Sequence, residues 1–139
     1  MKRVVLFLIF LLILGISCGN RIYQQPRPED HKAVVDIMYK DIYPMLKNEQ
    51  SYKILSVSDG KMTKNFGWSR LVKLESFLSY DKTKTELTIL AEGYLNSKLS
   101  YSNEGDLRKE FVVSSGNQYI RFGCYDKEHN YWYISLESK

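Results

Sequence analysis

The C-terminal part of this chain is paced in twos. Ile120, Phe122 and Cys124 fall on alternate positions, and so do Trp132, Ile134 and Leu136. A side-chain period of two puts successive residues on opposite faces of a strand. Between the runs stand turn formers: Asn103-Glu104-Gly105-Asp106, Gly116-Asn117, and the cluster from Asp126 to Asn130. Connections this short suit antiparallel neighbours, because parallel strands need a crossover of about a dozen residues or more. An antiparallel meander follows.

The registers of these strands define two faces. Leu87, Ile89, Ala91, Leu95 and Leu99 share the apolar side with the two runs above. The opposite register carries Tyr94, Tyr119, Arg121, Tyr125, Tyr131 and Tyr133. Upstream, Lys53–Ser58 reads as a strand ended by Ser58-Asp59-Gly60, Lys61–Ser69 as an irregular loop, and Arg70–Tyr80 as a strand closed by the polar turn Asp81 to Lys84. Glu86–Tyr101 is long enough for a bent strand with a bulge at Gly93. Leu107–Ser115, Gln118–Tyr125 and Tyr131–Glu137 complete the set.

One earlier stretch has a helical period. Val34, Val35, Met38, Ile42, Met45 and Leu46 recur at three- and four-residue steps, with Lys32, Asp36, Lys40 and Lys47 between them. Pro28 suits a first turn, and Glu29 and Asp30 place negative charge at the positive end of the helix dipole. Pro44 predicts a kink or an end near Ile42, giving a helix of about four to five turns. The class is α+β: one N-terminal amphipathic helix on a curled antiparallel sheet of about five to six strands in meander order. This order of elements is similar to the cystatin-like and nuclear-transport-factor-like folds, in which a helix rests in the concave face of a sheet. The similarity implies an architecture and no function.

Ahead of the domain stands a leader. Lys2 and Arg3 precede a 13-residue uncharged apolar run from Val4 to Ile16. A secretory h-region is about 7–15 residues and a spanning helix about 20, so residues 1–17 read as a signal peptide. Small Gly15 and Ser17 then precede Cys18. This resembles the lipobox of bacterial lipoproteins. The usual pattern has Leu three residues before the Cys; here Gly15 holds that place and Leu14 stands one further out, as in the relaxed lipoboxes of spirochaetes. The resemblance implies a diacylated Cys18 as mature N-terminus and a bilayer as partner, in the cell envelope at the outer membrane or cell surface. An ordinary signal peptide cleaved near Ser17 is the other reading, and it would leave Cys18 free to bridge Cys124. Residues 18–27 read as a tether of at most about 30 Å, and 28–139 as a single domain.

Removing residues 1–17 takes away Lys2 and Arg3 and no acid, so 20 basic against 16 acidic residues become 18 against 16. A near-neutral domain lacks the concentrated basic face that nucleic-acid phosphates require, so no nucleic acid is expected. Phosphate-cradling, zinc-binding and nucleophile-elbow motifs are missing from the sequence, and the reading is non-enzymatic, with no cofactor and no metal. His31 and His129 read as solvated surface, Cys124 as a buried inert thiol, and Glu75, Glu86, Glu92 and Glu110 as strand residues facing water. The clear excess is tyrosine, with 11 residues. Tyr94, Tyr119, Tyr125, Tyr131 and Tyr133 with Arg121 make a candidate binding face, since Tyr and Arg are enriched where proteins bind proteins. Cross-strand aromatic pairing is the structural account of the same pattern. Asn65-Phe66-Gly67-Trp68 reads as an apolar plug closing the core, or else as an exposed anchor. The expected function is a lipid-anchored, non-catalytic domain that binds a protein partner, either an envelope component or a host molecule. The alternative is a small-ligand or enzymatic pocket between helix and sheet.

Overall fold

Pro28 opens helix α1 (Pro28–Asn48) as the sequence leads one to expect, and the backbone N–H of Arg27 just before it donates to Asp30 Oδ2 at 3.0 Å. This is seen in a computed structural model that describes residues 27–139. The leader, Cys18 and the tether up to Pro26 lie outside the described residues. The buried stripe of α1 is His31, Val35, Met38, Ile42 and Leu46, and Met45 falls off it and is exposed. Pro44 does not end the helix. It sits on the exposed side, so the Lys40 carbonyl that loses its helical donor faces water.

Strands β1 (Tyr52–Val57), β2 (Lys61–Met62) and β3 (Trp68–Ser76) follow, then helix α2 (Tyr80–Leu95). Strands β4 (Leu99–Glu104), β5 (Lys109–Ser115), β6 (Gln118–Asp126) and β7 (Tyr131–Ser138) form the expected hairpin-linked meander. The sheet order is β1-β3-β7-β6-β5-β4, with β2 paired to β3 and every pair antiparallel. Strand β7 thus returns to pair with β3, which joins the first hairpin to the meander. Helix α1 covers β1, β3 and β7, and α2 covers β5 and β6. The fold is mixed α+β with both helices on one face of the sheet.

The bent strand expected over Glu86–Tyr101 is instead helix α2 followed by β4. Its buried residues are Thr83, Leu87, Ala91 and Leu95, a strict four-residue spacing. Four is even, so this spacing satisfies strand alternation as well as a helical stripe. Ile89 separates the two: a strand would bury it beside Leu87 and Ala91, and it is 64% exposed. Local chemistry sets the helix ends. Ser79 Oγ accepts from the Lys82 N–H at 3.2 Å, as an N-cap does, and Asp81 sits in the first turn. Asn96 adopts a left-handed φ of 50° and closes the last turn onto the Glu92 carbonyl. Asp81 to Lys84 is therefore the first turn of a helix and not a loop.

Between the helices and the sheet lie Trp132, Phe111, Phe122, Leu74, Ile120, Ile134 and Leu136, all essentially without solvent contact. The rings of Phe111 and Phe122 stack at 5.3 Å, and Tyr80 lies 5.1 Å from Trp132. This layer occupies the space in which a helix–sheet pocket would have to open. The depressions of the surface lie outside it, such as a shallow groove of about 600 Å³ between α1 and α2, walled by Pro44, Met45, Ile89 and Leu90.

Candidate functional site

The pleat of β6 and β7 decides which tyrosines come together. Ile120, Phe122 and Cys124 face the helices, so Tyr119, Arg121 and Tyr125 point from the other side of β6. On β7, Trp132, Ile134 and Leu136 face inward and Tyr131 and Tyr133 outward. Pairing aligns Tyr119 with Glu137, Arg121 with Ser135 and Gly123 with Tyr133 across the two strands. Five of the six expected site residues therefore share the face turned away from both helices. Tyr94 is the exception: it belongs to α2, and its hydroxyl donates to Asp41 Oδ2 of α1 at 2.7 Å. It ties the helices together and takes no part in the face.

At the centre of the face stands an ion cluster that the sequence reading missed. Arg121 Nε donates to Glu137 Oε2 at 3.1 Å, and Arg121 Nη1 to Glu110 Oε1. Arg108 and Lys139 reach the outer oxygens of Glu110 and Glu137 at 3.3 and 3.2 Å. Glu110 and Glu137 are only 5% and 6% exposed, so Glu110 is a buried partner and not the water-facing residue expected. Desolvation pulls the Arg121 guanidinium down, and its contacts with Glu110 and Glu137 outweigh this, so its pKa is raised on balance. It stays charged at any physiological pH. The missed signal was positional: Arg121 pairs with Val112 and Ser135 on the two adjacent strands, and Glu110 and Glu137 each lie two residues along from those partners, a diagonal arrangement visible only once strand order and register are known.

The tyrosines surround this cluster. Gly123 makes room for Tyr133, whose ring edge would sit 3.0 Å from a Cβ there, and the Lys109 carbonyl closes in from the other side. Burial and then Glu110 push the Tyr133 phenol up, and burial and then Tyr131 do the same for Tyr125. Tyr125 and Tyr131 lie 6.0 Å apart, with His129 stacked on Tyr131 and Lys73 over Tyr125. Lys139 lies over Tyr119. At the other end, Tyr101, Arg108, Val112, Tyr119 and Arg121 line a shallow hollow of about 420 Å³. Both the cross-strand pairing and the open aromatic surface are thus present. Tyr125 is exposed, whereas Tyr119, Tyr131 and Tyr133 are half-buried.

The remaining candidates divide. His31 is buried, with Nδ1 2.7 Å from Ser138 Oγ, which corrects the solvated reading: it locks the first turn of α1 to the end of β7. His129 is exposed as expected, paired with Asp126 at 2.9 Å, which raises its pKa. Cys124 is buried under α2, and burial pushes its thiol up, away from reactivity. Glu86 and Glu92 belong to α2: Glu86 accepts from the Tyr52 hydroxyl, and Glu92 from the Leu99 N–H. Glu75 stays on β3, half-buried, paired in register with Tyr131. Among the described residues no group of three or more His, Cys, Asp or Glu is placed to hold a metal ion, and no helix is long and apolar enough to cross a membrane.

The Tyr94–Asp41 contact carries a pH prediction. Burial first, and Asp41 second, push the Tyr94 phenol up to about 12. A raised phenol contributes its full stabilisation below the unfolded value near 10 and loses it as pH rises through the folded value. The margin by which the native chain exceeds Tyr94→Phe in urea midpoint should therefore hold to about pH 10 and vanish by about pH 12. A margin that does not change across this window would contradict the contact.

Compared with known protein families, curated proteins and solved structures, the chain matches none.

Proposed function

We propose that the chain is a lipid-anchored protein of the cell envelope whose small, non-catalytic domain binds a protein partner through the sheet face bearing Tyr119, Arg121, Tyr125, Tyr131 and Tyr133. One observation carries the binding part: these five residues share a face that neither helix covers. Tyr buries much area for two rotatable bonds and keeps a polar tip, and Arg121 is already held in place by its two carboxylates, which suits a partner better than it suits bulk water. The Arg121 cluster is satisfied within the domain, so it gives the face a fixed polar centre without an unpaired charge to bury. The anchor rests on the leader sequence, with Cys18 as the acylated residue and the outer membrane or cell surface as its location.

The test is photo-crosslinking in intact cells. A benzoyl-phenylalanine placed at Tyr119 or Tyr125 should give one discrete protein adduct, and the same group at Lys40, exposed on α1, should not. Replacing Tyr131 with Ser should weaken that adduct while the circular dichroism of the domain is kept. Equal adducts from both faces, or none from the sheet face, would remove this reading.

A further inference from the structure

The loop 65–68 splits between its two readings. Trp68 packs against the core, as a plug should, whereas Phe66 is 63% exposed. The tip joining β2 to β3 is closed by Thr63 N–H to the Gly67 carbonyl at 2.9 Å and Phe66 N–H to the Thr63 carbonyl at 3.2 Å. Phe66 takes a left-handed φ of 61° there, a conformation uncommon for any residue but Gly and Asn. An aromatic residue held in that strain and turned to solvent calls for a reason beyond packing. Met62, on the same hairpin, is 51% exposed. Lys61 and Lys64 are exposed and make no ion pair with any described residue, and Asp59 is the one acid between Ser58 and Trp68.

The position of this tip selects what it meets. His31 in the first turn of α1 touches Ser138, Ser138 pairs with Trp68, and the Ser138 carbonyl lies so close to Gly67 that no Cβ would fit. The hairpin and the start of α1 therefore occupy the same end of the domain. From Arg27 back to Cys18 is nine residues, at most about 30 Å. We propose that the hairpin tip, residues 61–66, docks on the bilayer that holds the anchor, with Phe66 and Met62 in the interfacial layer and Lys61 and Lys64 on anionic headgroups. This rests on the lipid-anchored reading. Apolar groups flanked by lysines are suited to that layer, where a ring or thioether meets acyl chain and an ammonium stays in water.

Strand β3 supplies an internal control. Phe77, just past its far end, is also 63% exposed. The full chain is purified from membranes with benzoyl-phenylalanine at position 66 or at 77, then reconstituted into phosphatidylethanolamine–phosphatidylglycerol vesicles and irradiated. Lipid adducts are expected several-fold more often at 66 than at 77. Equal yields, no lipid adduct at 66, or a protein adduct there instead would overturn the docking. The mass of the N-terminal peptide, read from the same sample, keeps the two ideas apart. An acylated Cys18 without an adduct at 66 sinks the hairpin and spares the anchor. An unmodified N-terminus with an adduct at 66 does the reverse, and the absence of both sinks both.

Discussion

Replacing Arg121 with Met should cost on the order of 3 kcal/mol at neutral pH. Glu110 and Glu137 are each nearly buried and both point to this one guanidinium. Removing it leaves two carboxylates in a poorly solvated site with partners only at the rim: Arg108, whose side chain is 72% exposed, and Lys139. Rim pairs of that kind recover little, since an exposed ion pair is worth roughly 0–1 kcal/mol. Adding Glu110→Gln to the variant should restore part of the loss, because buried charge is removed together with its partner. Urea midpoints of the single and double variants measure this, and a double variant no more stable than Arg121→Met would mean the buried charge is not the cause.

Trp132→Ala should cost on the order of 4 kcal/mol, the upper part of the range for emptying a buried aromatic site. Trp132 has no solvent contact, and it packs where β7, β6 and the start of α2 meet. Its indole N–H donates to Asn130 Oδ1 at 2.8 Å. Asn130 is itself a clasp: it holds a left-handed φ of 58°, and its amide donates to the carbonyls of Ser76 and Leu78. Trp132→Ala therefore opens a cavity and also frees the residue that fastens the β6–β7 turn to the end of β3. Trp132→Phe keeps a six-membered ring in the site, so it loses the hydrogen bond but leaves a much smaller cavity, and it should cost clearly less. If the two variants unfold at the same denaturant concentration, the cavity is not what matters at this position.

The same residues show what was legible beforehand and what was not. Strands β5 to β7 were readable because alternation and turn chemistry coincide: Ile120, Phe122 and Cys124 lie between Gly116-Asn117 and Asp126 to Asn130. Helix α1 was readable from its stripe, apart from Pro44, which a helix tolerates when the orphaned carbonyl faces water. Helix α2 was not. Thr83, Leu87, Ala91 and Leu95 fit either period, Thr85, Thr88 and Ile89 around them favour a strand by composition, and Gly93 disfavours a helix. The caps at Ser79 and Asn96 were the signals that could have decided it. Tyr94 went with that element, from an imagined sheet face to a bridge between helices. For Glu110 and His31, burial depends on partners far away in sequence, Arg121 and Ser138. No local pattern carries that information.

The proposed function requires that Cys18 tether this domain to a bilayer. The most direct measurement is the intact mass of the N-terminal peptide from the membrane fraction, beside a Cys18→Ala control. A diacylated peptide beginning at Cys18, lost together with membrane association in the control, is the predicted result. An unmodified N-terminus recovered from the soluble fraction would contradict it.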